Sequence, residues 1–393
     1  MRIKTMLLAF FLATFLTGIA QSVKITHGPY LQAVGANEVT IVWTTDKDAV
    51  SWVEVAESGT ESFYARERTR YYETKNGNRT IGKLHKVTIK GLEEGTGYRY
   101  RVFSKEVLSH IGHKVLYGNV ASTDVYSKKP LVFRTLDTKK EEISFRVIND
   151  IHGRIPDFRA LSRDIGFGKT DFVFFNGDMV SAMIDETQFF EGFMDEAVSL
   201  FASEVPVFFS RGNHETRGPF SVTFPDYFPT ESGKLYYSFR HGPVGFIVLD
   251  CGEDKPDSDI EYSDLARFDD YRSEQRDWLV KELSGEAFRN APIKIVVVHI
   301  PPVGSDWHGP NDLKNKILPV LKNKGITAMI CGHTHRYNFI EPDSDFHDFP
   351  IVINAHNTVL DISANQSQMS VVRRDTLNNV LNTHVLKSVP VQR

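Results

Sequence analysis

The chain has 393 residues, enough for two domains that each bury a core. Its 41% hydrophobic and 24% charged content is ordinary for a globular protein, and a formal net charge of −4 gives no footing for nucleic acid or an anionic membrane. With only Cys251 and Cys331 it is not a disulfide scaffold, and both, following apolar strand-like runs, are expected as buried free thiols.

The first twenty residues, MRIKTMLLAFFLATFLTGIA, place Arg2 and Lys4 before an apolar run that ends in Gly18 and Ala20. This pattern predicts a Sec signal peptide cleaved after Ala20, hence a secreted or periplasmic protein. No later segment is long enough to span a bilayer, so no stable membrane anchor is expected.

From residue 22 to 136 short alternating runs and turn signals predict strands and no helix. EVTIVWTT (Glu38 to Thr45), SWVEVA (Ser51 to Ala56), HKVTIKGL (His85 to Leu92) and YRYRVFS (Tyr98 to Ser104) are half-buried strands in pattern. Together they predict an all-β sandwich. In GLEEGTGYRYRV, Leu92, Thr96 and Tyr98 match the L-x-x-x-T-x-Y of a tyrosine corner, so this half resembles a fibronectin type III domain. The resemblance implies that the Tyr98 hydroxyl bonds back to the backbone. A charged linker, Asp137 to Glu142, follows.

Residues 141–390 have another rhythm, in which apolar runs alternate with amphipathic segments, as in an α/β domain. The runs are FRVIND, DFVFFNGD, VPVFFSRGNHE, GFIVLD, IKIVVVHIPP and ITAMICGHTH. Between them, Phe189, Phe193, Ala197 and Leu200 fall at helical spacing, as do Trp278, Leu279 and Leu283; both stripes are expected in the core.

Five of the six runs end in potential ligands. The first ends in Asp150-Ile151-His152, the second in Gly177-Asp178 and the third in Gly212-Asn213-His214-Glu215. The fifth ends in His299 and the sixth in Gly332-His333-Thr334-His335. Ligands of open α/β sheets bind outside the carboxyl ends of the strands, so these side chains should meet at one edge of one sheet. A buried cluster of carboxylates and imidazoles is costly unless it holds metal. Asp250, ending the fourth run without a neighbouring His or Asn, is read as structural.

The ordered set D-x-H, G-D, G-N-H-E, H, G-H-x-H resembles the calcineurin-like metallophosphoesterase superfamily, and a β-sandwich ahead of it resembles the purple acid phosphatase arrangement. The implied fold is a sandwich followed by a four-layer αββα domain. The resemblance implies a binuclear centre, with Asp150, His152 and His335 on one metal, Asn213, His299 and His333 on the other, and Asp178 bridging. Zinc, manganese and iron all suit these donors. The implied activity is hydrolysis of a small-molecule phosphate ester by direct attack of a metal-bound hydroxide. His214 would stabilise the transition state or protonate the leaving alkoxide, His308 is a second candidate of that kind, and Arg217 is a candidate phosphate contact. Ser181 stands where purple enzymes carry an iron-binding tyrosine, and His152 where they typically carry glycine, which implies no purple colour and no obligatory ferric iron. A phosphomonoesterase is expected, with a phosphodiesterase using the same site as the alternative and a non-catalytic binding or adhesion protein behind both.

Overall fold

The computed structural model describes residues 22–389; the expected signal peptide lies outside them. Seven strands between Ile25 and Arg134 form one connected antiparallel sheet. The two runs expected as separate strands are one, Glu38–Glu57, which changes partners midway. Its first half pairs with Ile25–Gln32 and Gly82–Lys90, its second with Arg70–Tyr72 and Gly97–Ile111, and the register slips between Thr44 and Ala49. The polar stretch Asp46-Lys47-Asp48 is thus a bend within a strand. Alternation sends Val39, Ile41 and Trp43 into the sandwich core, whereas Val42 packs with Tyr30 against the second domain. The corner forms as expected, the Tyr98 hydroxyl accepting the Glu93 N–H at 2.8 Å.

The second domain stacks two six-stranded mixed sheets. The first contains β1 (Glu142–Ile148), β2 (Phe172–Asn176) and β3 (Val207–Ser210), in parallel. The second contains β4 (Tyr237–His241), β5 (Val244–Val248), β6 (Ile293–Val297), β7 (Ala328–Cys331), β8 (Asn338–Ile340) and β9 (Ile351–Ile353), with β5, β6, β7 and β9 parallel. Strands β10 (Thr358–Asn365), β11 (Gln368–Asp375) and β12 (Val380–Lys387) finish the first sheet, in the order β3-β2-β1-β10-β11-β12. Phe145, Phe172, Phe174, Phe208, Phe246, Ile295 and Ile330 fill the space between the sheets.

The opposite faces of the same strands carry helices, which makes the four layers. Ile148, Val173 and Phe175 pack on α1 (Ile155–Leu161) and on the helical segment 186–202. Ile247, Val296 and Met329 pack on α2 (Phe268–Glu282) and α3 (His308–Lys316). Both faces of each strand are therefore apolar, and the sequence runs are continuous rather than alternating. Two π-helical turns, Phe190–Met194 and Val198–Ala202, rotate the 186–202 segment off a simple 3.6 period. Phe190, Met194 and Phe201 are buried as a result, and Leu200, expected in the core, is exposed. Cys251 and Cys331 are free and buried. Among the described residues, no helix is long and apolar enough to cross a membrane.

The domains meet through specific contacts as well as shared packing. His27 stacks on Phe190 at 3.9 Å and its Nδ1 lies 2.9 Å from Asp195; Tyr30 and Tyr100 donate their hydroxyls to the carbonyls of Tyr227 and Ser203.

Candidate metal centre

The predicted ligands come together, but from two sheets rather than one. Loops after β1, β2 and β3 bring Asp150, His152, Asp178 and Asn213 from the first sheet, and loops after β6 and β7 bring His299, His333 and His335 from the second. The chain bends hard at these points. Asp150, His152, Asp178, His333 and His335 all have positive φ, between 49° and 70°, a strained region for residues with a Cβ that persists where surrounding structure enforces it. Crowding explains the glycines. A Cβ on Gly177 would strike the His299 ring, and one on Gly212 would strike the Asp178 carboxylate and amide.

Three groups of ligand atoms lie within 4.8 Å of one another: Asp150, His152 and His335; His152, Asp178 and His214; and Asp178, His299 and His333. His335 Nε2 is 3.3 Å from Asp150 Oδ1 and 3.2 Å from His152 Nε2. His299 Nε2 is 3.0 Å from Asp178 Oδ2, and Asn213 Oδ1 is 3.1 Å from His333 Nδ1. Donors that share an ion at about 2.1 Å stand about 3 Å apart, so the spacing suits metal.

The bonding of individual atoms is a second test of fit. Asp150 spends Oδ2 on the His333 N–H (3.0 Å) and the Asn149 amide (2.6 Å), leaving Oδ1 buried, unpartnered and facing the cluster. The Nδ1 of His299 lies 2.6 Å from the Asn176 carbonyl, which can only accept, so Nδ1 carries the hydrogen. Its Nε2, also without a hydrogen-bond partner, then faces the Asp178 carboxylate. Two electron-rich buried atoms in contact call for a cation between them. Without an ion a proton takes that place: burial alone would lower His299 and raise Asp178, yet their attraction raises the imidazole and holds the carboxyl below its usual range, and the Nε2 proton is the one a metal would displace. Burial lowers His152 and His333 to about 4, which keeps them neutral, as ligands must be. The residues present fit two metal ions.

The remaining candidates divide. His214 is at the cluster, its Nε2 3.9 Å from Asp178 Oδ2 and its Nδ1 2.8 Å from the Ser181 carbonyl, which therefore takes the Nδ1 hydrogen. Arg217 is gripped by buried Glu253 through Nε (2.8 Å) and Nη2 (3.0 Å), while Nη1 lies 3.4 Å from His214 Nε2. His308 stands outside the three groups; it opens α3 and its Nε2 is taken by Asp269 of α2 at 2.7 Å. Ser181 sits beside the site, its Oγ 3.5 Å from His152 Nδ1.

Three supporting residues were not singled out from the sequence. Glu215 is fully buried and accepts the amides of Asp178 (2.9 Å), Met179 (2.7 Å) and Gly212 (3.0 Å), tying two ligand loops together. Burial, then the Asp178 charge, raises its carboxyl to about 7. His356, just past β9, has its ring tilted against that of His335, centroids 5.3 Å apart, with its Nδ1 3.1 Å from the His335 carbonyl. Its position after a buried strand was a signal, although it stands alone there. Glu253 lies in a loop with no pattern to mark it.

Comparison with known proteins agrees with this geometry. Residues 143–337 match the family described as calcineurin-like phosphoesterase, and residues 27–120 match the N-terminal domain of purple acid phosphatase. Purple acid phosphatase 18 of Arabidopsis thaliana is 26% identical over 334 residues, covering 81% of this chain and 67% of that protein. Purple acid phosphatase 15 of the same plant is 28% identical over 291 residues, 66% of this chain and 50% of that protein. The chain thus aligns with between half and two thirds of each relative's length.

Proposed function

Given that this chain belongs to the calcineurin-like metallophosphoesterases and carries a purple acid phosphatase-type N-terminal domain, we propose that it is a phosphomonoesterase acting on small phosphate esters. The observation that carries this reading is the convergence of seven ligand side chains with His214 at their border. Asp150, His152 and His335 would hold one ion, Asn213, His299 and His333 the other, and Asp178 both. Bound there, the ions supply Lewis acidity that neutralises phosphoryl charge and activates water.

The chain's own residues do the rest. Buried Asp150, Asp178 and His299 keep the ligand floor free of bulk water. The Ser181 carbonyl keeps the Nδ1 hydrogen of His214, so the proton His214 can give up is the second one, carried on Nε2 of the imidazolium. As the bond from phosphorus to the leaving oxygen breaks, its electron pair stays on that oxygen, and a proton carried on Nε2 neutralises it. Arg217 offers the Nη1 edge, unused by Glu253, to a phosphoryl oxygen. The amino-terminal sequence pattern supports export as the setting.

The test is hydrolysis of p-nitrophenyl phosphate against bis(p-nitrophenyl) phosphate by protein stripped of metal and reloaded with manganese, zinc or iron. Metal-dependent activity favouring the monoester is expected, from a loaded protein without purple colour, and His214→Ala should lose turnover of phenyl phosphate, whose leaving group needs a proton, far more than that of p-nitrophenyl phosphate. Preference for the bis-ester would make it a phosphodiesterase. Full activity of His214→Ala on phenyl phosphate would remove the proposed acid.

A further inference from the structure

The loop carrying Asn213 and His214 reads Arg211-Gly-Asn-His-Glu-Thr-Arg217, with an arginine at each end. Each arginine meets a carboxylate from the loop after β5, which supplies none of the candidate ligands. Arg211 Nη2 lies 2.8 Å from Asp250 Oδ2, and both side chains are almost wholly buried. At the other end, Glu253 is 1% exposed and takes both Arg217 Nε and Nη2. Its oxygens are further satisfied by the hydroxyls of Thr216 (2.8 Å) and Tyr262 (3.1 Å). A fork–fork pair of this kind fixes the guanidinium in plane and direction. The edge left over, Nη1, lies 3.5 Å from Nδ1 and 3.4 Å from Nε2 of His214, so it sits on the imidazole itself.

His214 is thus held from two sides: the Ser181 carbonyl takes its Nδ1 hydrogen, and Arg217 sets the ring from the other. We propose that Glu253 is a positioning residue which, through Arg217, sets the orientation of His214 toward the ester. This rests on the reading of His214 as the proton donor. The carboxylate's depth supports the role. A buried glutamate serving only to anchor a surface arginine would be a poor use of its desolvation, whereas one aiming an arginine at an active imidazole gains geometry that chemistry needs. Arg272, fully buried, reinforces the same loop by donating to the carbonyls of Cys251 (3.0 Å) and Glu253 (3.1 Å).

The experiment compares Glu253→Gln with the unaltered protein in two readouts, and Arg217→Lys in the first of them only. In metal-free, ¹⁵N-histidine-labelled protein, the His214 ring signals, assigned with His214→Ala, are expected to move in both variants while the His85 signals stay. In metal-loaded Glu253→Gln, turnover of phenyl phosphate, whose leaving group needs a proton, should fall about tenfold or more, a fraction of what a general acid contributes. Turnover of p-nitrophenyl phosphate, whose leaving group does not, should fall about threefold or less. Glu253→Asp should recover part of the phenyl phosphate rate. Equal losses on both esters with bound metal reduced would overturn the proposal in favour of plain loop support, as would His214 signals unmoved in both variants. If the unaltered protein hydrolysed neither ester with any metal, the proposed function would fail, while the ring signals would still decide whether Glu253 positions His214.

Discussion

Replacing Asp178 by asparagine tests the shared ligand most directly. Oδ2 of Asp178 lies 3.0 Å from His299 Nε2, 3.9 Å from His214 Nε2 and 4.0 Å from His152 Nε2, so it belongs to both halves of the cluster. Asparagine keeps the shape, and its Oδ1 can still accept the His214 N–H bound at 3.0 Å, so the loops should hold. What disappears is a negative charge at the centre of a buried, cation-seeking site. Removing one partner of a buried charge pair costs about 3–5 kcal/mol. At about 1.4 kcal/mol per tenfold, that is about two to three and a half orders of magnitude in metal dissociation constant. Elemental analysis after dialysis against micromolar manganese or zinc should find about two ions on the unaltered chain and less than one on Asp178→Asn. Asn213→Ala, altered in one half only, should keep about one. Two ions held by Asp178→Asn at unchanged affinity would refute the reasoning, and loss of both ions from Asn213→Ala would refute the division into halves.

Two predictions concern the N-terminal domain. Tyr98→Phe removes the acceptor of the Glu93 N–H at the corner and should cost about 1 kcal/mol, seen as a fall of a few degrees or less in melting temperature; an unchanged melt would mean that water replaces the bond at no cost. His85 is 2% exposed beside Trp43 and Thr45, and burial lowers it from 6.5 to about 4. The folded pKa is depressed, so its contribution is full above about pH 6.5 and is lost as pH falls toward 4, where the unfolded chain gains a proton that the folded one refuses. The stability gap between the unaltered protein and His85→Gln should therefore shrink by about 2 kcal/mol between pH 7 and pH 5 in urea denaturation. A gap that stays constant would show that His85 protonates freely in the folded domain.

The metal centre was legible because its cost shows locally. Polar residues directly after buried apolar runs, with glycine at Gly177, Gly212 and Gly332, mark places where a chain turns sharply to gather charge. The tyrosine corner was legible for a similar reason, since its residues lie within seven positions of each other. What sequence did not disclose depends on partners far along the chain. Glu38–Glu57 looks broken at Asp46-Lys47-Asp48 because only the two different sets of partner strands reveal that it is continuous. Leu200 follows an α-helical stripe that two π turns displace, and nothing in its neighbours announces them. His308 follows the candidate ligand His299 on the segment after β6, but its partner Asp269 is 39 residues away on α2.

Asp250 shows where such reasoning stops. Read alone, it is an aspartate after a strand with no ligand beside it, and so structural. In the folded chain it grips Arg211, as Glu253 grips Arg217, and the two arginines bracket the turn that presents Asn213 and His214. The loop after β5 supplies no candidate ligand, yet it holds the loop that does. A ligand is recognisable from its chemical type, because few side chains bind metal. A positioning residue needs only to be a carboxylate in the right place, and place is given by the fold. The arginines stand at both ends of the predicted ligand turn in the sequence, but only the fold brings the buried carboxylates that meet them.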